Sequence, residues 1–262
     1  MNLIALQWDL FRLDPSRNME KADCLLRRAH PESGDIVVLP ELWPTGYDTR
    51  EKLRSAIGSH ETAWLSFLKE NAAAYGIFLI GGSVPALDKE RTFNRSIVFN
   101  PSGKHIGYYD KIHLFPPMHE ERLFYPGRTA HPVETDIPAL IFGPAICYDL
   151  RFPELFRHLA NQGASLFVLP AEFPDPKVEI WHTLLSARAA ENQAFIVACN
   201  RIGRSGSFSF FGSSAVYDPL GQCLGRLERE EDFLKVPINI DLVNSTRGQL
   251  PVLSHTKLTI SL

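Results

Sequence analysis

The sequence has few cysteines, and their spacing excludes several kinds of site. Only four occur in 262 residues and none pairs as C-x-x-C, so a zinc ribbon and a thioredoxin-like motif are excluded. The N-terminal residues lack the basic flank and apolar core of a secretory leader, so disulfides are not expected. We expect a cytoplasmic protein whose cysteines are mostly buried apolar side chains. The four are Cys24, Cys147, Cys199 and Cys223.

Long apolar runs and a strong excess of one charge are also absent. No segment approaches the roughly 20 apolar residues of a membrane span. The net charge is only −3, which favours neither a nucleic acid nor an anionic membrane as a partner. Hydrophobic residues make up 45% and charged residues 22%, the balance of a globular protein and not of a disordered one. The length suits a single α/β domain over residues 1–262.

Strands and helices alternate along the chain, which predicts an α/β layered fold. The run DIVVLP at 35–40, for example, has the continuous apolar pattern of a buried strand. The two halves share a similar element order, which is consistent with two similar sheets packed face to face, although a single doubly wound sheet has the same periodicity. Predicted helices lie at 18–30, 59–75 (with Ser59 as N-cap and Gly76 at the end), 153–162 and 178–193. Predicted strands lie at 3–8, 35–40, 77–84, 92–100, 105–109, 139–147, 164–170, 194–200, 213–217, 222–227 and 234–241, and the tail from Val243 shows no clear pattern.

Three reactive side chains each follow the end of a predicted apolar strand. They are Glu41, Lys111 and Cys147, and catalytic groups of α/β proteins collect at strand ends. Taken singly, each has an ordinary structural role: a carboxylate that caps a helix or pairs with Arg50, a solvated lysine, and a packing cysteine. Together they supply a base, a cation and a soft nucleophile, which is the set that thiol-based acyl transfer requires.

Other kinds of site have weaker support in the sequence. His113, His119 and Glu120 lie close together, but their spacing matches no helical zinc motif such as H-E-x-x-H, so no metal is expected. The segment from Gly203 to Gly206 has no following lysine, so it does not predict a phosphate loop. No G-x-S-x-G elbow is present. The predicted chemistry therefore needs no cofactor.

Three longer segments resemble the signature segments of the nitrilase superfamily of carbon–nitrogen hydrolases. They read LPELWPTGY at 39–47, DKIHLF at 110–115 and CYDLRFPELFR at 147–157, in the order and spacing of that superfamily. The resemblance extends over residues 3–253 and includes GGSVP, FNRSIVFNPSGK, YPG, LPAEFP, WHTLLSARAAENQAF, NRIG and DPLGQ. It implies a four-layer αββα sandwich, commonly paired as a homodimer, and a Glu–Lys–Cys triad carried here by Glu41, Lys111 and Cys147.

The resemblance also implies roles for neighbouring residues. A second glutamate six residues before the proline of the YPG element corresponds to Glu120, with Glu121 as the adjacent alternative. Cys147 would attack an amide carbonyl, Glu41 would act as general base, and Lys111 with the backbone N–H of Tyr148 would stabilise the oxyanion. Glu120 would hold Lys111 in place.

The substrate is narrowed by resemblance but not fixed. The CYDLRFPE segment looks most like those of short bacterial amidases and omega-amidases, which hydrolyse monoamides of 2-oxo acids. Arg151 could bind a substrate carboxylate or form a structural pair with Glu154 or Asp149. Phe115 and Phe173 could wall the pocket or pack in the core. A ureido hydrolase, a nitrilase and a non-catalytic binding protein remain alternatives. Thiol labelling with ammonia release would test the non-catalytic alternative, and a screen of amides, ureido acids and nitriles would test the other two.

Overall fold

The computed structural model describes residues 1–257. The helices are α1 (Pro15–Ala29), α2 (Arg50–Tyr75), α3 (Pro153–Asn161), α4 (Val178–Asn192) and α5 (Asp241–Gln249), and short 3-10 turns occur at Pro116–Met118, Glu120–Arg122, Cys147–Arg151 and Leu253–His255. The strands are β1 (Asn2–Gln7), β2 (Ile36–Val38), β3 (Phe78–Ile80), β4 (Val84–Asp88), β5 (Arg91–Phe99), β6 (His105–Asp110), β7 (Val133–Glu134), β8 (Ile141–Pro144), β9 (Leu166–Ala171), β10 (Phe195–Asn200), β11 (Ile202–Ser205), β12 (Phe208–Phe211), β13 (Ala215–Tyr217), β14 (Cys223–Arg226) and β15 (Asp232–Pro237).

Two mixed sheets share the same plan. The first has the order β15-β1-β2-β3-β5-β4, with β6 paired to β5, and the second has the order β14-β13-β10-β9-β8-β7. Strands β1, β2 and β3 are parallel, as are β8, β9 and β10, while antiparallel strands flank each parallel trio. The carboxyl ends of both parallel trios are therefore available for a site.

The alternation of side chains along β1 shows how the layers are built. Leu3 and Ala5 point into a core shared with the second sheet, whereas Ile4 and Leu6 point into a core shared with α1 and α2. A strand places successive side chains on opposite faces, so a strand buried on both sides has a continuous apolar sequence. Helices α3 and α4 cover the outer face of the second sheet in the same way. The predicted αββα sandwich is confirmed.

The predicted start of the second helix is wrong. Helix α2 begins at Arg50 and not at Ser59, because the Thr49 side chain caps it by accepting from the Lys52 N–H at 3.4 Å. Gly58 and Ser59 lie inside the helix, where the turn-like pair is overridden by an apolar stripe that packs on the sheet. That stripe consists of Leu53, Ile57, Trp64, Leu68 and Ala72.

The C-terminal prediction also needs correction. The last strand ends at Pro237 and does not reach position 241, since proline at a strand end removes a ladder donor. Helix α5 begins at Asp241, the last residue of the predicted strand, and continues into the tail that showed no clear pattern. Within residues 1–257, no helix is both long and apolar enough to cross a membrane.

Candidate active site

The three predicted reactive residues lie together in one buried cluster. Glu41 lies three residues after β2, Lys111 directly after β6, and Cys147 three residues after β8. The loop that carries Glu41 is held by Gly82, whose positive φ of 56° places its Cα so close to the Pro40 carbonyl that a Cβ would lie 2.0 Å from that oxygen. Only glycine fits there. Ser83 completes this clamp, because its Oγ accepts from the Leu42 N–H at 2.9 Å.

Glu41 is fully buried and accepts four hydrogen bonds. Its Oε1 accepts from Lys111 Nζ at 2.8 Å, from the Tyr47 hydroxyl at 2.9 Å and from Asn94 Nδ2 at 2.8 Å. Its Oε2 accepts from the Glu172 N–H at 2.8 Å. Burial alone would raise the pKa of Glu41, but the Lys111 ammonium and these donors outweigh it and lower the pKa. Glu41 is therefore an ionised, fixed acceptor.

Lys111 is bound by a second carboxylate on the opposite side. Its Nζ lies 2.8 Å from Glu120 Oε2 as well as 2.8 Å from Glu41 Oε1, and all three side chains are inaccessible to solvent. Burial lowers the pKa of Lys111, but the charges of Glu120 and Glu41 raise it well above its ordinary value. Glu121 is exposed and lies 3.6 Å from His119, so the structure brings Glu120, and not Glu121, to Lys111.

Tyr47 links the two carboxylates and was not foreseen from the sequence. Its hydroxyl contacts both Glu41 and Glu120, yet it has only one proton to donate. The hydroxyl can therefore donate to only one of the two carboxylates at a time. Burial raises the pKa of Glu120, and Glu41 adds to this against the opposing effect of Lys111. Tyr47 is therefore a polar link between the two glutamates that flank Lys111.

Cys147 is the first residue of a 3-10 turn, and its backbone has a left-handed φ of 48°. Asp149 fixes this turn: it is fully buried and accepts from the Ile146 N–H and the Tyr109 hydroxyl, both at 2.9 Å. Tyr148 is the second residue of the turn, where a backbone N–H has no partner within the turn. Burial raises the pKa of Cys147 well above its ordinary value, and the charge of Glu41 adds to this. Attack by sulfur therefore needs a neighbouring group that accepts the thiol proton.

A third buried carboxylate, Glu172, follows β9 and extends the cluster. Its Oε2 accepts from Arg201 at 3.0 Å, and Arg201 also contacts Asp9 at 2.7 Å. Its Oε1 has no hydrogen-bond partner in the described part of the chain. Burial raises the pKa of Glu172 to about 7, against the lowering effect of Arg201. The signal was present in the sequence, since Glu172 follows an apolar strand just as Glu41 and Cys147 do.

Cys147 forms part of a narrow cavity with about 200 Å³ of empty space. Two larger cavities, each of about 1000 Å³, lie elsewhere and contain no residue of the cluster. The small cavity is the one that adjoins the reactive groups. Its lining includes the predicted residues Phe115, Tyr148, Arg151 and Phe173, together with Pro174 and Lys177.

Arg151 lines this cavity and forms neither of the two structural pairs considered from the sequence. Asp149 is occupied by Ile146 and Tyr109, and no ion pair joins Arg151 to Glu154 within residues 1–257. The guanidinium instead lies over the Phe173 ring, 5.9 Å from its centroid.

The histidines near the site do not form a metal centre. His113 Nδ1 lies 2.7 Å from Asp149 Oδ1, and its ring stacks on Phe152 with centroids 3.6 Å apart. His119 is exposed beside Glu121. No group of three or more His, Cys, Asp or Glu side chains in the described chain could hold a metal ion.

Comparison with known proteins places this geometry in a family. The sequence profile of the family described as "Carbon-nitrogen hydrolase" matches residues 3–248. The chain belongs to that family. The predicted superfamily membership is confirmed, and the matched region includes every residue of the buried cluster.

Individual relatives agree with this assignment. The chain is 34% identical to the 2-oxoglutaramate amidase of Bacillus subtilis, with 94% of each sequence covered. It is 30% identical to the omega-amidase NIT3 of Saccharomyces cerevisiae, covering 94% of this chain and 90% of that protein. A carbon–nitrogen hydrolase superfamily protein from Xanthomonas campestris, solved with an arsenic adduct in its active site, superposes with a TM-score of 0.88 at 29% identity, covering 100% of this chain and 99% of that one. These similarities support an omega-amidase-like carbon–nitrogen hydrolase.

Proposed function

We propose that this protein hydrolyses the terminal amide of a small carboxylate-bearing molecule to ammonia and the free acid, through a thioester on Cys147. The observation that carries the proposal is the buried Glu41–Lys111–Glu120 cluster beside a thiol that opens into a small cavity. Relatives named omega-amidase and 2-oxoglutaramate amidase support the same chemistry.

Acylation begins from the neutral thiol. Because the pKa of Cys147 is raised and that of Glu41 is lowered, proton transfer to Glu41 must accompany the attack of sulfur on the amide carbon. The new oxyanion is stabilised by the Lys111 ammonium and the Tyr148 backbone N–H. The intermediate collapses as the C–N bond breaks, and Glu41 delivers its proton to the leaving nitrogen, which departs as ammonia.

Deacylation reverses the same proton path. Glu41 takes a proton from a water molecule as its oxygen attacks the thioester, the C–S bond breaks, and the proton returns to sulfur. Tyr47 and Glu120 hold the two catalytic side chains in place throughout. Tyr47 donates to Glu41, and Glu120 accepts from Lys111. No metal or organic cofactor enters these steps.

The carboxylate of the substrate would bind at Arg151. A guanidinium offers two parallel donors to a carboxylate, and Arg151 lines the cavity that contains Cys147. Phe115 and Phe173 would enclose the aliphatic part of the substrate, since both are buried and line the same cavity.

We also propose that the enzyme acts as a cytoplasmic homodimer built from a single domain. The cytoplasm keeps thiols reduced, and all four cysteines are free in the described structure. A molecular mass in solution at micromolar concentration tests the dimer, and a monomeric mass would contradict it.

A screen of amides, ureido acids and nitriles with ammonia detection tests the activity. The wild-type protein should release ammonia from a monoamide of a dicarboxylic acid, and Cys147→Ala should not. If a ureido acid or a nitrile is the better substrate, the family chemistry stands but the amidase specificity fails. If ammonia is released from none of these compounds and Cys147 resists thiol labelling, a non-catalytic binding role replaces the proposal.

A further inference from the structure

Lys177 occupies a position where a lysine is unfavourable for the fold. It is the N-cap of α4 and its side chain makes no capping hydrogen bond. By contrast, Asp14 and Thr49 cap α1 and α2 through their side-chain oxygens. The N-terminus of a helix carries partial positive charge, so a cation there lowers stability instead of adding to it. A residue that opposes the local preference in this way points to function.

Lys177 and Arg151 place two uncompensated cations at one small cavity. Both line the cavity that contains Cys147, and each lies over an aromatic ring, with Lys177 Nζ 5.0 Å from the centroid of Phe115. In residues 1–257 neither forms an ion pair with a carboxylate. Burial lowers the pKa of Lys177 and the charge of Arg151 lowers it further. Such a pair is stabilised by an anionic ligand that presents oxygens to both cations.

A carboxylate that pairs with Arg151 in bidentate fashion uses both of its oxygens on the guanidinium, which leaves Lys177 without an acceptor of its own. A carboxylate with a neighbouring carbonyl offers a further acceptor oxygen on the adjacent carbon. An ammonium group on that carbon, as in an amino acid amide, would instead bring a positive charge against Lys177, which is repulsive at short range. The two cations therefore suit a 2-oxo acid and oppose a 2-amino acid of the same length.

We propose that Lys177 is a specificity-determining residue that donates a hydrogen bond to the 2-oxo oxygen of the substrate while Arg151 binds the adjoining carboxylate. This inference rests on the proposed amidase function and deepens it. It assigns Lys177 two effects: attraction of the 2-oxo acid monoamide, and rejection of glutamine or asparagine, whose side-chain amides are otherwise alike.

The test compares three five-carbon substrates that differ only at carbon 2: the 2-oxo acid monoamide, the unsubstituted dicarboxylic acid monoamide, and glutamine. For the wild-type enzyme we expect kcat/KM to fall in that order. Lys177→Met should lower the ratio of the 2-oxo to the unsubstituted substrate by about tenfold, chiefly through KM, and should raise glutamine relative to the unsubstituted substrate. Lys177→Glu should raise glutamine further, whereas Lys177→Arg should keep the wild-type order. Ratios cancel any general loss of activity.

Lys104→Met is the matched control, because Lys104 is exposed in the turn between β5 and β6. Its three rates should equal those of the wild type. Unchanged ratios in Lys177→Met, or a wild-type enzyme that prefers glutamine, would overturn the role of Lys177 while leaving the amidase function intact. If the wild-type enzyme cleaves none of the three amides, the proposed function itself fails, so the two failures are distinct.

Discussion

Charged side chains are arranged in opposite ways in the interior of the site, around Lys111, and at its mouth, which is the part of the cavity lined by Arg151 and Lys177. In the interior, Lys111 is held by Glu41 and Glu120, and each of these carboxylates has further hydrogen-bond donors. At the mouth, Arg151 and Lys177 face the same cavity, and the described chain supplies no carboxylate to either. Paired buried charges form fixed machinery, because removing one member leaves the other unpaired. Cations without an ion-pair partner at the mouth can instead be neutralised by an anionic ligand.

The interior therefore carries the proposed chemistry, and the mouth selects the substrate. In the proposed mechanism the interior acts on the carbonyl and the nitrogen of the amide, which every amide substrate supplies. The mouth acts on whatever the substrate carries beyond the amide. Changes in the interior should therefore affect the rate with all substrates and also affect stability, whereas changes at the mouth should alter the order of substrates.

The largest effect is expected from removing the nucleophile. Cys147→Ala should lower kcat by more than about 10⁴-fold, since loss of a covalent nucleophile typically removes most of the acceleration, and the far-UV spectrum should remain that of the wild type. Ammonia release with a monoamide measures this. Cys223→Ala is the matched control, because that thiol is exposed and outside the site. Turnover above about 1% in Cys147→Ala would eliminate the thiol mechanism.

Substitutions in the interior and at the mouth should change the free energy of unfolding by very different amounts. Lys111→Met leaves Glu41 and Glu120 buried without their cation, so we expect a loss of about 3–5 kcal/mol in the free energy of unfolding. Lys177→Met breaks no ion pair and should change it by less than about 0.5 kcal/mol. Urea unfolding of both variants measures the difference. Equal losses would show that the two cations are not in opposite electrostatic situations.

Glu172 should make the free energy of unfolding depend on pH. Its pKa of about 7 in the folded protein lies above that of an unfolded glutamate. The folded state then binds more protons than the unfolded state between about pH 4.5 and pH 7, so this group makes stability fall as pH rises through that window. Glu172→Gln removes the contribution. Relative to wild type, its free energy of unfolding should rise by about 3 kcal/mol across the window.

Unfolding in urea at pH 5, 6, 7 and 8 measures this trend. Glu121→Gln serves as the control, because Glu121 is exposed, and its difference from wild type should stay constant. A Glu172→Gln difference that also stays constant would mean that Arg201 keeps Glu172 ionised over the whole range.

A smaller and more selective effect is expected at Arg151. The wild-type kcat/KM should favour a monoamide with a free carboxylate over its methyl ester by at least about tenfold, because the ester leaves the guanidinium without its partner. Arg151→Ala should remove most of that preference. If the ester is the better substrate of the wild-type enzyme, Arg151 does not select for a carboxylate.

How much of this was predictable depends on the distance along the chain between the residues concerned. The strand ends that carry Glu41, Lys111 and Cys147 follow from apolar runs, and the motif order predicts their meeting. The remaining partners of Glu41 do not follow: Asn94 and Glu172 are 53 and 131 residues away, and periodicity does not predict which strand ends meet across two sheets. The start of α2 was missed for a local reason, since Gly58 and Ser59 resemble a helix boundary but Thr49 provides the cap.

The smallest expected effect is that of chelation. The predicted mechanism obtains its base, cation and nucleophile from side chains, and the nearest histidine, His113, already binds Asp149 at 2.7 Å. Treatment with EDTA followed by gel filtration should leave kcat and KM unchanged, and added zinc should not increase either the rate or the thermal midpoint. Zinc that binds the Cys147 sulfur would inhibit the enzyme, and an excess of chelator would reverse that inhibition. Suppose that chelation abolishes activity and that zinc restores it in the wild type but not in His113→Ala. That result would show that a metal and not Lys111 polarises the substrate carbonyl.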